Sequence, residues 1–358
     1  MTLVSESQHG ARKHRWWRVL RWTGIGLAAL AILLAAGGAL WNWAATQYYR
    51  EHYPAPGKMY TVNGHSMHLY CTGSGSPTLI LDSGLGDDWT VWQKVQPTLS
   101  KTTRVCSYDR SGLGWSDELS PEHDANTLAD QLHALLQAAD IRKPIILMGH
   151  SMAGVYDRAY IAHYPGDVAG MIFVDASSPD QFKRFPPQIL ENLQSYYSTR
   201  LKWLTVFGIA RATGKCEQIV PGLEFERGFI YANNCKISVV DTNFAEFNDI
   251  DHSSDETRHT GPFSNLPILV MTEDPQIFAN TDSDSIPPEI GKKSSILWES
   301  MQEDLKHLSS NGRRIIAKGS GHYVEVDRAD LINREVPVFI QQVRSGQVPA
   351  DNGTTKVE

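Results

Sequence analysis

From Trp22 to Tyr49 the chain carries no charged residue. The centre of this stretch, Thr23 to Leu40, is rich in Leu, Ile, Ala and Gly. About 20 apolar residues at a helical rise of 1.5 Å span the hydrocarbon layer of a bilayer. Trp16, Trp17 and Trp22 flank one end, and Trp41, Trp43, Tyr48 and Tyr49 flank the other, as aromatic belts do at the two membrane interfaces. Arg12, Lys13, Arg15, Arg18 and Arg21 all precede the apolar run. The positive-inside rule therefore predicts a cytoplasmic basic segment over 1–22, a transmembrane anchor over 23–45, and the bulk of the chain outside the cytoplasm. A cleaved, secreted form is the alternative, because Ala35, Ala36, Gly37, Gly38 and Ala39 supply small residues for a signal peptidase. The length of the run and the bulky Trp41 and Trp43 after it favour the uncleaved anchor.

The net charge of −7 is unevenly spread. Five cations against Glu6 make residues 1–22 basic, so everything after them is strongly acidic. An acidic globular part argues against a nucleic-acid partner. A hydrophobic fraction of 41% with 20% charged residues excludes wholesale disorder. The chain has four cysteines and no Cys-x-x-Cys pair or Cys/His cluster, so neither a metal nor an organic cofactor is expected.

Past the apolar run, residues 46–58 read as a linker containing Pro54, Pro56 and Gly57. Tyr60–Val62 and Met67–Cys71, joined through Asn63-Gly64, read as a hairpin, since Asn-Gly supplies the positive φ of a tight turn. Short apolar runs follow at 78–81, 104–108, 144–148, 168–174, 267–271 and 314–317, typical of strands buried on both faces. Helical patterns alternate with them at 125–139, 151–163, 296–308 and 331–344; Leu128, Leu132, Leu135 and Leu136 share one face. Such alternation predicts an α/β fold with a mostly parallel sheet and helices on both faces. The core is placed at 59–178 and 263–344. The gap at 179–262 is rich in Phe, Tyr, Trp and Leu and reads as an inserted cap, mainly helical. Residues 345–358 are polar and read as a flexible tail.

The run Ile145-Ile146-Leu147-Met148-Gly149-His150-Ser151-Met152-Ala153-Gly154 carries the chemistry. A buried strand enters a sharp turn that opens a helix. It resembles the Gly-x-Ser-x-Gly nucleophile elbow of the α/β-hydrolases, with Ala153 in place of the last glycine. The resemblance extends over about Tyr60 to Val343. It implies the α/β-hydrolase fold, a serine hydrolase activity and Ser151 as nucleophile. A plain strand-to-helix turn capped by serine is the bland alternative. Leu79-Ile80-Leu81-Asp82-Ser83-Gly84-Leu85-Gly86 stands where the family carries its oxyanion loop, so the resemblance implies the backbone N–H groups of Leu85 and Met152 as oxyanion donors. Tyr108-Asp109-Arg110-Ser111-Gly112-Leu113-Gly114 resembles a loop common after the next strand; Asp109 is expected to organise that turn.

Only one of the 13 histidines, His322, sits in a Gly-x-Gly-His turn after the last core strand, where the family keeps its catalytic base. His150 is expected beneath the nucleophile. For the acid that orients the imidazole, Asp175 follows the run 168–174 and Asp274 follows the run 267–271. Asp175 is preferred, because Thr272-Glu273-Asp274 departs from the family's glycine-containing pattern there. Asp274 stays as the alternative, with Glu273, Asp180 and Asp282 behind it.

The same resemblance implies Cys71–Cys106, on neighbouring strands, and Cys216–Cys235, within the cap, as disulfides; free buried thiols remain open. It implies a small-molecule acyl substrate, and a carboxylic ester is favoured because Phe182, Phe185, Tyr196, Tyr197, Trp203, Phe207, Phe225, Phe229 and Tyr231 suggest an apolar pocket. Two alternatives stand. A proline-iminopeptidase-like aminopeptidase would need an acidic subsite, for which Glu224, Glu226 and Glu246 are candidates. A catalytically silent, membrane-tethered binding protein would need neither Ser151 nor His322.

Overall fold

The computed structural model describes residues 5–196, 199–216, 219–279 and 286–358, with backbone alone for 5–14, 195, 196 and 199. The side chains of Arg12, Lys13 and Tyr196, and the whole of Tyr197 and Asp282, lie outside the described residues.

One helix, α1 (Ser5–His52), opens the chain. Among the described residues it alone is long and apolar enough to cross a membrane. It runs further than expected, since residues 46–52, read as linker, are helical. The cause is local and tertiary. No Gly or Pro interrupts the chain between Trp41 and His52, and Asn42 and Thr46 are buried against the cap.

Among the described residues, nine strands form one sheet in the order β1-β2-β4-β3-β5-β6-β7-β8-β9. They are β1 (Lys58–Val62), β2 (His65–Thr72), β3 (Thr78–Asp82), β4 (Val105–Tyr108), β5 (Ile145–His150), β6 (Val168–Val174), β7 (Ile268–Thr272), β8 (Gly312–Ile316) and β9 (Thr355–Val357). β1 and β2 form the expected hairpin; Asn63 (φ +50°) and Gly64 (φ +85°) turn it. β2 pairs antiparallel with β4, and every later pairing is parallel. Cys71 and Cys106 are register partners on β2 and β4 and form a disulfide.

The tail is not loose. Its β9 adds to β8, where a parallel strand would otherwise expose its hydrogen-bonding edge.

The core helices are α2 (Gln96–Leu99), α3 (Ala125–Ala138) and α4 (Ala153–His163) before the cap, and α12 (Pro275–Ala279), α13 (Pro288–Lys306), α14 (Val324–Asp327) and α15 (Ala329–Ser345) after it. Leu128, Leu132 and Leu135 of α3, with Tyr156 and Tyr160 of α4, pack on one face of the sheet. Leu99, Leu331, Val336, Phe339 and Ile340 pack on the other. The strands between are apolar on both faces, as two covering layers require.

Between β6 and β7 lies the cap: α5 (Gln181–Arg184), α6 (Pro187–Tyr196), α7 (Thr199–Val206), α8 (Ile209–Ala212), α9 (Arg227–Asn233), α10 (Ile237–Asn248) and α11 (Ile250–Thr257). Cys216–Cys235 staples it. The cap also holds α1. Asn42 Nδ2 donates to the Thr205 and Cys235 carbonyls at 3.1 Å each. The buried Arg211 donates to Asn42 Oδ1 and Thr46 Oγ1 at 2.9 Å each.

Candidate active site

Ser151 lies where β5 gives way to α4. Its φ is +53°, a conformation that strains an L-residue unless neighbours impose it. Two bonds do so. Ser151 N–H donates to the Val174 carbonyl at 3.2 Å, and Ser177 N–H donates to the Ser151 carbonyl at 2.8 Å. The small residues around it are required by contact. A Cβ on Gly149 would lie 2.3 Å from Asp157 Oδ2, and one on Gly154 would lie 2.6 Å from Ala176 Cβ.

The bond to Val174 ties the serine's turn to the end of the adjacent strand, and Asp175 follows it with φ +40°. His322 arrives on the turn after β8. Its Nδ1–H donates to Asp175 Oδ2 at 2.6 Å, and its Nε2 meets Ser151 Oγ at 3.0 Å. Asp175 Oδ1 accepts from Glu273 N–H at 3.1 Å and Trp298 Nε1–H at 2.9 Å.

Asp274, the alternative acid, serves the same histidine by another route. Its Oδ2 accepts from Gly319 N–H and its Oδ1 from Gln276 N–H, both at 2.9 Å, so it shapes the turn that carries His322 and begins α12. Asp180 pairs with Arg258 at 2.8 Å, away from the imidazole. Glu273 lines the cavity in front of Ser151. Burial, with the charges of Asp175 and Asp274, pushes its pKa up to about 10, which keeps it neutral. A neutral carboxyl cannot stabilise an imidazolium.

Burial opposes the charged form of His322, but the hydrogen bond and charge of Asp175, with Asp87 beyond, outweigh it and hold the pKa above the usual imidazole value. His150 lies under the pair, its Nε2–H donating to the His322 carbonyl at 3.1 Å. Burial, then the neighbouring His322, pushes its pKa well down, so it stays neutral.

The expected oxyanion loop lies beside the serine: a Cβ on Gly84 would sit 3.2 Å from Ser151 Cβ. Among the described residues no acceptor takes the N–H of Leu85 or of Met152. Arg110 fastens this loop. It donates to Asp82 Oδ1 at 2.8 Å, to the Ser83 carbonyl at 2.5 Å and to the Gly84 carbonyl at 2.6 Å. Asp109 organises its own turn, accepting from Trp89 and Trp115 N–H and from His68 Nδ1.

Comparison with known proteins agrees with this architecture. A sequence profile described as the alpha/beta hydrolase fold matches residues 77–215. An esterase from Thermogutta terrifontis superposes with a TM-score of 0.56 at 20% identity, over 80% of this chain and 98% of that one. An enol-lactonase from Burkholderia xenovorans gives 0.54 at 19% identity, over 79% and 100%. The chain has the α/β-hydrolase fold.

Among curated relatives, an AB hydrolase superfamily protein of Gibberella zeae is 24% identical over 290 residues, 75% of this chain and 87% of that one. An uncharacterised protein of Schizosaccharomyces pombe is 30% identical over 190 residues, and the chain spans 35% of its length. For a Bacillus subtilis relative, 26% identical, the span is 52% of its length.

In front of Ser151 the chain has a cavity of about 530 Å³. Its wall is apolar: Phe182, Phe185, Ile189 and Leu193 from the start of the cap, Phe247 and Ile250 from α10 and α11, and Trp298 from α13. Among the described residues, Phe182 and Phe185 are the only aromatic residues read as pocket that line this cavity. Phe229 packs with Trp89 and Trp115, and Tyr231 with Tyr49 of α1. Trp203, Phe207 and Phe225 are exposed.

None of the three cap glutamates considered for an amine subsite lines the cavity. Glu246 is spent on Arg110, at 2.8 Å, and on Gly86 N–H, at 2.9 Å. Trp298, which donates to Asp175, carried no sequence signal: a tryptophan on an amphipathic helix reads as core.

Proposed function

We propose that this α/β-hydrolase is a serine hydrolase of carboxylic esters that works through an acyl-enzyme at Ser151. The observation that carries the reading is the continuous chain Ser151 Oγ, His322 Nε2, His322 Nδ1, Asp175 Oδ2, with links of 3.0 and 2.6 Å. Because Nδ1 holds its proton against Asp175, Nε2 offers its lone pair to the serine hydroxyl. Ser151 Oγ attacks the acyl carbonyl as His322 takes the proton. The N–H groups of Leu85 and Met152 receive the developing oxyanion. The C–O bond to the alcohol breaks and His322 returns the proton to the leaving oxygen. Water, deprotonated by the same Nε2, then cleaves the acyl-enzyme to carboxylic acid and free serine.

The apolar cavity favours an acyl chain. The cavity's acids are Glu273, which is neutral, and Asp87, which burial and the charge of Asp88 push up to about 7 and which accepts from Tyr323 Oη; none of the cap glutamates expected to hold a substrate ammonium is among them. That supports the ester over the aminopeptidase reading.

The proposal places α1 across a membrane, with residues 1–22 cytoplasmic and the catalytic part outside, where the two disulfides fit an oxidising compartment. Full-length protein in detergent, treated with a fluorophosphonate probe and mapped by peptide mass, tests the chemistry. Label on Ser151 that disappears in Ser151→Ala is expected. Unlabelled, folded wild type would turn the reading toward a silent binding protein.

A further inference from the structure

The cap touches α1 on the N-terminal side of Trp41 and Trp43. A Cβ on Gly38 would lie 2.1 Å from the Phe207 carbonyl oxygen, so helix and cap backbones touch there. Gly38 stands three to five residues before Trp41 and Trp43, the outer aromatic belt. At the helical rise, that is about 5–8 Å inside the interface. Interfacial elements bury their apolar faces to about that depth.

The corner formed by α7 and α8 suits the position. Trp203, Phe207 and Ile209 are 57%, 37% and 45% exposed, and the first two rings stack at 5.8 Å. From Arg200 to Lys215 the sequence has Arg200, Lys202, Arg211 and Lys215 and no acid, in an otherwise acidic globular part. Arg211 is turned inward onto α1 and Lys202 pairs with Asp241 at 2.7 Å. Arg200 and Lys215 are exposed.

A second cavity, of about 310 Å³, begins behind this corner at Leu201 and Thr205 of α7 and Phe244 of α10. It ends at Leu85, Asp87 and Tyr323, which also line the catalytic cavity. An apolar, cationic corner in contact with α1 thus backs onto a cavity, lined also by Lys215, Asn234 and Asn243, that shares Leu85, Asp87 and Tyr323 with the one in front of Ser151.

We infer that the α7–α8 corner is seated in the outer leaflet and that this vestibule delivers acyl esters dissolved in that leaflet to Ser151. The inference rests on the readings of α1 as anchor and Ser151 as nucleophile. Ester and water give acid and alcohol, as above; the corner adds no chemical step, only supply.

The test uses the full chain reconstituted in phosphatidylcholine/phosphatidylglycerol vesicles. Two substrates are compared: 4-methylumbelliferyl oleate dissolved in the bilayer and p-nitrophenyl acetate in water. Trp203→Asp with Phe207→Asp is expected to lower kcat/KM for the oleate by about tenfold or more and leave the acetate rate within about twofold. Unchanged rates on both would overturn the inference. If both rates fall alike, tryptophan quenching by bromine-labelled phosphatidylcholine decides between wild type and Trp203→Phe. Loss of quenchable emission in Trp203→Phe supports a seated corner, and equal quenching overturns it. Fluorophosphonate labelling of Ser151 reads the serine chemistry separately, so its failure leaves the quenching result standing.

Discussion

Asp175 and Asp274 end neighbouring strands, and both serve His322. One holds its ring and the other its turn. Their mutants should therefore part widely. Asp175→Asn is expected to lower kcat by about 10³- to 10⁴-fold, because the imidazole loses its tautomer and its counter-charge. Asp274→Asn gives up turn hydrogen bonds, costs about 1 kcal/mol of stability and leaves kcat within about tenfold. The pH profile follows from the raised pKa of His322. Only neutral imidazole acts as base, so wild-type kcat/KM should fall as pH drops through a value above the usual 6.5. Asp175→Asn should move that limb to lower pH. Stability runs the other way. The folded state holds this proton more tightly than the unfolded chain, so the contribution is full below the unfolded pKa and fades as pH rises through the folded one. The turns that carry the candidates Ser151 and His322 were legible in the sequence because each demands glycine or another small residue within a few positions. Local sequence favoured Asp175 but kept Asp274 open, because the choice between them depends on which strand end lies beside the serine. Register between β5, β6 and β7 decides it, and no local motif encodes that register.

At the scale of elements, α1 shows how far hydropathy reads. Its charge-free run marked the helix, but hydropathy ends the anchor at residue 45 and assigns Asn42 and Thr46 no role. They are instead the acceptors of Arg211, an arginine 169 residues from Asn42, so the helix continues through the supposed linker. Gly38 makes the seam testable. Gly38→Leu would force its side chain against the Phe207 backbone, at an expected cost of about 1–3 kcal/mol, read as a lower Tm of the full chain in detergent. Gly37→Leu, at a position with nothing within 4 Å, should leave Tm unchanged and serves as control. The tail misled for a related reason. Thr355–Val357 has a strand's composition only in outline, and its pairing comes from the open edge of β8.

For the whole molecule, the cap was legible as an aromatic-rich insertion, but not which aromatic residues face the cavity. Its helices distribute the described ones among cavity, α1 seam and surface. What joins cap to core at the site is Arg110, which holds the loop bearing Leu85 and, through Glu246, helix α10. Arg110→Met leaves Asp82 and Glu246 buried without their cation, at an expected cost of about 3–5 kcal/mol. It should also lower kcat, as the oxyanion loop loses its fastening; calorimetry and steady-state assay of the same preparation would read both. The central claim is the acyl-enzyme, and the direct measurement is its capture. Full-length protein is mixed with p-nitrophenyl butyrate, quenched in acid during turnover, digested and weighed. The account predicts a butyryl adduct on the peptide carrying Ser151, absent in Ser151→Ala together with turnover. Turnover without an adduct on that peptide, or turnover that survives Ser151→Ala, would contradict it.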